Sequence, residues 1–259
     1  MSHPSLEVVD GLATVTLPEL VATAALTTRH DAKYVVDRAH LAGLIASLGE
    51  GFRVLDTDGA RSTRYASAYF DTSDLLTYRE HLMGRRRRWK LRTRHYGDPT
   101  ATTLELKLKS SRGQTVKHRW PHTAAPDVLD TAGWQTASQT LQAAYGTALP
   151  DHLEVAVTTA YRRTTLVDTV AGERVTIDEE LEIAAGGQRV ALGAHVAVVE
   201  VKAAGLRGET VRALGQLGLR PDRVSKYCVG VASAYDDVRG NPWIPVLRRM
   251  QPEAVAPVG

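Results

Sequence analysis

Apolar and polar residues alternate with a period of two over much of this chain, the pattern of half-buried β-strands. The alternation predicts strands over Arg64–Phe70, Arg86–His95, Thr102–Lys109, Gln114–Trp120, Leu153–Leu166, Glu173–Glu182 and Val196–Ala203. Gly97-Asp98-Pro99, Ser111-Arg112-Gly113, Ala171-Gly172 and Gly186-Gly187 supply turn chemistry between consecutive strands, so hairpins follow one another and the sheet is antiparallel. Three segments switch to helical spacing. Arg38–Leu48 carries Leu41, Leu44, Ile45 and Leu48 on one face, with Gly49 as a stop. A second helix runs from Pro126 and Asp127 to Gly146, with Leu129, Trp134, Leu141 and Tyr145 inward and Gly133 as a point of interruption. A third covers Glu209–Leu217, with Val211, Leu214 and Leu217 inward and Gly218 closing it. Residues 1–28 have weak periodicity and read as an arm holding one strand. The tail over 240–259 is rich in proline and reads as a loose wrap docked through Trp243 and Ile244. The expected fold class is α+β, with the main domain over residues 29–239.

Because side chains alternate across a strand, Arg88, Lys90, Arg92 and Arg94 share one face, while Trp89, Leu91 and Thr93 share the other. The next strand sets Glu105, Lys107 and Lys109 opposite its leucines, and the one after it offers Lys117 and Arg119. Facing bulk solvent is the ordinary fate of such a face. These faces, however, put like charges side by side on neighbouring strands, which is repulsive unless an anion lies between them. If the sheet curls into a barrel, they line its lumen as a basic channel suited to a chain of phosphates. Arg163, the set Arg174, Thr176 and Asp178, and the pair Glu200 and Lys202 fit the same channel. Its few carboxylates either neutralise cations or hold a divalent ion that bridges phosphate oxygens, with Glu200 the first choice.

Composition narrows the class. With 259 residues, 43% hydrophobic and 24% charged, the chain suits one large soluble domain and excludes collagen-like, fibrous and wholly disordered readings. No apolar run approaches the length that spans a bilayer, no signal-peptide pattern opens the sequence, and Cys228 is the one cysteine. An intracellular, cytoplasmic protein is expected. The 32 basic residues comprise 25 Arg and 7 Lys, and the lysines, Lys33, Lys90, Lys107, Lys109, Lys117, Lys202 and Lys226, all fall outside the three predicted helices. Cys228 reads as a small packed thiol, and the histidines show no metal-ligand spacing.

The ordered set Arg29-His30-Asp31-Ala32-Lys33-Tyr34, Tyr69-Phe70-Asp71-Thr72, Lys90-Leu91-Arg92-Thr93-Arg94-His95-Tyr96-Gly97, Leu104-Glu105-Leu106-Lys107, Tyr161-Arg162-Arg163-Thr164, Arg174-Val175-Thr176-Ile177-Asp178, Glu200-Val201-Lys202 and Ser225-Lys226-Tyr227 resembles a known family. It is similar to the VTC (vacuolar transporter chaperone) domain, the polyphosphate polymerase domain of the triphosphate tunnel metalloenzyme, or CYTH-like, superfamily. The resemblance implies an antiparallel β-barrel tunnel with a few flanking helices, which binds triphosphate or polyphosphate with Mn2+ or Mg2+. It also implies transfer of the terminal phosphoryl group of ATP or another nucleoside triphosphate to a growing chain. On this reading Lys33, Arg92, Arg94 and Lys226 are the catalytic cations. Lys90, Lys107, Lys109, Lys117, Arg119, Tyr161, Arg163, Arg174 and Lys202 bind phosphate, and Glu200, Glu105 and Asp178 hold the metal. A membrane-protein partner is a further expectation. Asp31 stands where the wider superfamily often has Glu, and the paired acidic motif of the first strand is incomplete, so the polymerase branch is better supported than the hydrolase branch.

Two other readings of such a tunnel stay open: a sensor that binds polyphosphate or nucleotide without turnover, and an inorganic triphosphatase with water as acceptor. Nucleic-acid binding through Arg85-Arg86-Arg87-Arg88 is disfavoured, because 6% aromatic residues with two Phe offer little surface for base stacking. No nucleic-acid partner is expected, and those arginines read as a hairpin end or tunnel rim.

Overall fold

The alternating segments join one predominantly antiparallel sheet in the computed structural model, which describes residues 8–23, 30–110, 114–203, 208–235, 238–251 and 253–254. Arg29 and the expected turn over 111–113 lie outside the described residues. The continuous path is β2 (His30–Asp37), β11 (Val196–Ala203), β9 (Arg174–Ala185), β8 (Glu154–Asp168), β4 (Ser62–Asp71), β5 (Arg88–Tyr96), β6 (Asp98–Lys109) and β7 (Thr115–Pro121). β10 (Gln188–Ala191) and β12 (Glu253–Ala254) extend the side of β9, while β3 (Phe52–Leu55) and, parallel to it, β1 (Thr14–Val15) extend the side of β8. The expected α+β tunnel forms, with one qualification: β2 and β7 are not paired with each other, so the sheet curls without closing.

Each face of the sheet has its own cover. Outside, Tyr34, Val36, Leu166, Val175, Ile177, Val199 and Val201 pack under α2 (Leu41–Ala46) and α5 (Glu209–Gln216). Trp89, Leu91, Leu104, Leu106 and Leu108 pack under α4 (Thr131–Tyr145) through Ala137 and Leu141. Inside, one end of the concave face is filled by an apolar plug. Tyr78 of α3 (Leu76–Leu82), Tyr227, Cys228 and Val231 of α6 (Lys226–Ala234), and Val246 and Met250 of α7 (Ile244–Met250) meet Tyr69, Val157, Leu181, Ile183 and Val198 there. The rest of the concave face is polar. α1 (Leu17–Thr23) lies in the arm, which also contributes β1 as its expected strand.

Several local expectations shift. α4 begins at Thr131, because the Asp130 carboxylate accepts from the Gly133 N–H and caps it there, and Gly133 does not interrupt it. Leu217, expected inward, is 41% exposed: it falls at the C-cap of α5, where Ala213 and Leu214 take the buried positions. The tail is less loose than expected, since Trp243 is fully buried and docks α7, whereas Ile244 is 38% exposed. α6 carries Tyr227, Cys228, Val229, Gly230 and Val231 buried in succession, so it has no amphipathic period to announce it.

Candidate functional site

Residues directly opposite in an antiparallel ladder share a face, and the register carries one face around the sheet, with irregularities between Tyr69 and Phe70, between Arg94 and Tyr96, and between Ala160 and Arg162. Lys33 of β2 stands opposite Glu200, Glu200 opposite Thr176, and Thr176 opposite Thr165. One step along, Asp178 faces Arg163 and Arg163 faces Thr63. Tyr161, Tyr65 and Tyr96 form the next rung, and Ser67 and Arg94 another. Tyr69, Arg92, Glu105 and Arg119 follow, then Lys90, Lys107 and Lys117, and at the rim Arg88, Lys109 and Thr115. Lys202 and Arg174 pair near the other rim, beside Asp31. The basic faces of the separate strands are therefore one concave surface. Lys33 Nζ of β2 donates to Val224 O at 3.4 Å and Lys90 Nζ of β5 to Ser225 Oγ at 2.9 Å, so the two ends of the sheet turn toward one another across the start of α6.

The remaining catalytic candidate arrives from outside the sheet. Ser225 caps α6 through its side chain, and the first turn of the helix brings Lys226 to Asp178 and over the Tyr161 ring, 4.4 Å from its centroid. Lys90 Nζ donates to Ser225 Oγ at 2.9 Å, tying the helix to β5. Gly230 permits this seating: a Cβ there would lie 2.7 Å from Val157 Cγ1 and 2.9 Å from Ile183 Cγ2. At the far side of the plug, buried Asp71 accepts from Thr77 N at 2.9 Å, Thr77 Oγ1 at 2.7 Å and the Tyr227 hydroxyl. The Asp of the Tyr69-Phe70-Asp71 segment thus ties α3 to α6 rather than lining the lumen.

Glu105 and Asp178, expected as metal ligands, hold guanidinium groups in this structure. Glu105 Oε2 accepts from Arg92 Nε at 2.7 Å and Nη2 at 2.5 Å, while its Oε1 accepts from Arg119 Nε at 3.0 Å and lies 3.6 Å from Lys117 Nζ. Arg163 forms a two-oxygen fork on Asp178, Nε donating to Oδ1 at 2.5 Å and Nη2 to Oδ2 at 2.7 Å. Burial alone would raise both carboxyls, but Arg92, Arg94 and Lys117 around Glu105, and Arg163 and Lys226 around Asp178, hold them below the carboxylate range. Such pairs fix the arginines in direction. Arg94 is buried as well, with Nε donating to Ser67 Oγ and Nη2 to the Tyr161 hydroxyl, both at 3.2 Å.

The lysines carry the strain of this crowding. Lys107 and Lys117 are exposed but desolvated in part by the surrounding strands. This, with Lys33 and Lys90 nearby, pushes Lys107 down to about 8, and with Arg92, Arg119 and Arg94 acting against the pull of Glu105 brings Lys117 down to about 7. Burial lowers Lys90 and Lys202 too. Tyr69, missed in the sequence although its motif was noted, accepts from Arg92 Nη1 at 2.9 Å; burial would raise its hydroxyl, yet Arg92, Arg94 and Lys226 bring it down to about 8. A face on which cations crowd one another in this way attracts anions.

Among the described residues no three His, Cys, Asp or Glu side chains surround a common point. The site best suited to a hard cation is Glu200, which burial would raise but Lys33, Lys202 and Arg163 keep ionised. It bonds Lys202, and across the ladder the buried Thr176 hydroxyl has no hydrogen-bond partner among the described residues. Carboxylate and hydroxyl oxygens suit Mg2+ or Mn2+ when phosphate and water complete the shell.

A family model described as the VTC domain matches residues 28–235. Solved structures with a related fold include a candidate adenylyl cyclase, HpAC1, from Hippeastrum, whose reported dominant activity is triphosphatase; it is 14% identical, with a TM-score of 0.45, covering 81% of this chain and 97% of its own. A candidate adenylate cyclase from Bacillus halodurans is 13% identical, with a TM-score of 0.42, covering 76% of this chain and 94% of its own. PH1819 from Pyrococcus horikoshii OT3 is 10% identical, with a TM-score of 0.40 and coverage of 76% and 93%. Comparison with curated proteins found no match.

Proposed function

Since the chain belongs to the VTC domain family, we propose that it is a polyphosphate polymerase, drawing the terminal phosphoryl group of ATP or another nucleoside triphosphate onto a polyphosphate chain held in its tunnel. The observation that carries this reading is the single concave face that unites Lys33, Arg92, Arg94, Lys107, Lys117, Arg163 and Glu200, with Lys226 delivered to the same face by α6. Phosphoryl transfer depends on alignment and on stabilising charge at the equatorial and leaving oxygens, and fixed cations supply both. The terminal oxygen of the chain attacks the γ-phosphorus, the bond from γ-phosphorus to the bridging oxygen breaks, and nucleoside diphosphate leaves. Arg92, Arg94 and Arg163, held by Glu105, Ser67 and Asp178, orient donor and acceptor without reorganising. The lysines Lys33, Lys107 and Lys226 neutralise the developing charge. A divalent ion held by Glu200 and Thr176 would add Lewis-acid polarisation of phosphate oxygens. A nucleotide donor points to the cytoplasm, and no described helix is long and apolar enough to cross a membrane; a membrane-protein partner belongs to the same reading.

One observation favours a second reading, binding without turnover: every carboxylate of the lumen centre already has a cation on it. Incubation with ATP and Mn2+, followed by separation of long-chain polyphosphate from free phosphate, decides. Long chains are expected. Orthophosphate alone would make the protein a triphosphatase, and bound ATP with no product would make it a sensor.

A further inference from the structure

The mouth of the lumen at the β5–β6 turn presents an exposed aromatic ring, Tyr96, whereas the deeper tyrosines Tyr69, Tyr161 and Tyr227 are buried. Tyr96 ends the β5 face that runs through Arg88, Lys90, Arg92 and Arg94, and it stands directly opposite Tyr65 on β4. The two rings meet at 82° with centroids 4.8 Å apart, and Tyr65 stacks in turn on Tyr161 at 5.4 Å. Arg163 and Arg94 lie over the Tyr65 ring, 4.9 and 5.6 Å from its centroid. Tyr65 and Tyr161 are thereby packed from below, whereas Tyr96 remains 39% exposed at the edge. Gly97, at φ 73°, makes the turn and donates its N–H to Arg64 O at 2.8 Å, which holds the end of the hairpin against β4.

We infer that Tyr96, backed by Tyr65, is a stacking platform for the nucleoside of the donor, so that the triphosphate enters the tunnel from this mouth. The inference rests on the polymerase reading and adds to it the recognition of a base and a direction of entry. Residues two apart on one strand face are about 7 Å apart, so Arg94 and Arg92 follow about 7 and 13 Å inward from Tyr96. An aromatic surface followed by two fixed guanidinium groups is matched by a planar base followed by a phosphate chain. Inorganic tripolyphosphate would use the arginines and pass the ring by. A rigid tyrosine ring also stacks any of the four bases, so the platform selects for a nucleoside rather than for one base.

The test measures binding of ATP and of tripolyphosphate, each with Mg2+, to the wild type, Y96A and Y96F, with thermal melting to verify that each variant is folded. Y96A should raise the Kd for ATP about tenfold, the scale of one base stacked on one ring, and leave that for tripolyphosphate within about twofold; Y96F should behave as wild type. Ethenoadenosine triphosphate should lose fluorescence on binding the wild type and less on binding Y96A. Equal weakening of both ligands, or an unchanged Kd for ATP, would overturn the platform while leaving the tunnel reading intact. If the wild type binds neither ligand, the tunnel reading falls and this inference with it. Should Y96A not fold, Y96L, which keeps volume and removes the π-face, is judged by the same criteria.

Discussion

Glu200 is bonded by an ammonium, and an ammonium on a flexible stem yields its partner more readily than a guanidinium fork does. Drawing Lys202 toward phosphate would free the carboxylate for a cation. E200Q removes the charge with little change of shape, and product formation is expected to fall about a hundredfold, comparable to loss of one charge-stabilising group from an active site. Tripolyphosphate affinity should hold or tighten, because one repelling negative charge is gone. Rates followed across Mn2+ concentration in both proteins check this, and identical rates with identical metal response would refute a metal role for Glu200. The depressed lysines make a second statement at this scale. Lys107 at about 8 and Lys117 at about 7 are part-deprotonated in the free protein at pH 8. A bound polyanion restores their protons, so binding at pH 8 should take up about one proton and weaken as pH rises further. In the free protein the sign is opposite: the unfolded chain binds these protons more tightly, so stability rises with pH from about 7, where Lys117 begins to lose its proton, toward the ordinary lysine range. Calorimetric titration with tripolyphosphate in buffers of different ionisation heat measures the uptake, which should shrink in K117M; heats independent of the buffer would refute it.

Among the elements, α6 decides whether the strands' cations work with Lys226. It passes under Val157 and Ile183 at Gly230, where even a methyl group must displace the helix or both side chains. G230A is expected to cost about 1–3 kcal/mol, the usual penalty for overpacking a filled core, and to weaken tripolyphosphate binding because Lys226 and Ser225 move with the helix. Urea unfolding and a binding curve on the same variant test both halves; undiminished stability would mean that the helix is not seated as described. This element was also the least legible in the sequence. Ser225-Lys226-Tyr227 stood out only through family resemblance, for a helix buried all round has no polar stripe, and its neighbours are strands far away in the chain. The alternating segments were legible because a half-covered strand writes its burial into every second residue. α2 and α4, with one face on the sheet, were legible for the analogous reason.

At the scale of the molecule, the concave face concentrates positive charge that an anion relieves. Tripolyphosphate should therefore raise the melting temperature at low salt, with a gain that shrinks as salt rises and screens the attraction. Melting curves over a salt series check this, and the absence of a shift with any length of polyphosphate would remove the tunnel reading. How the face comes to exist divides cleanly between local and long-range causes. Alternation by itself determined that Arg88, Lys90, Arg92 and Arg94 point one way, that Lys107 and Lys109 share a face, and that Lys117 and Arg119 do, because side-chain direction along a strand follows from backbone geometry alone. Only the tertiary structure decided that these faces look at each other across a lumen, that β2 and β7 do not pair with each other, and that Glu105 and Asp178 meet arginines. It likewise decided that Tyr96 and Tyr65, thirty-one positions apart in the chain, form one mouth. Register and curvature are relations between distant segments, set by the sum of packing on both faces of the sheet, and no local run of residues carries that sum.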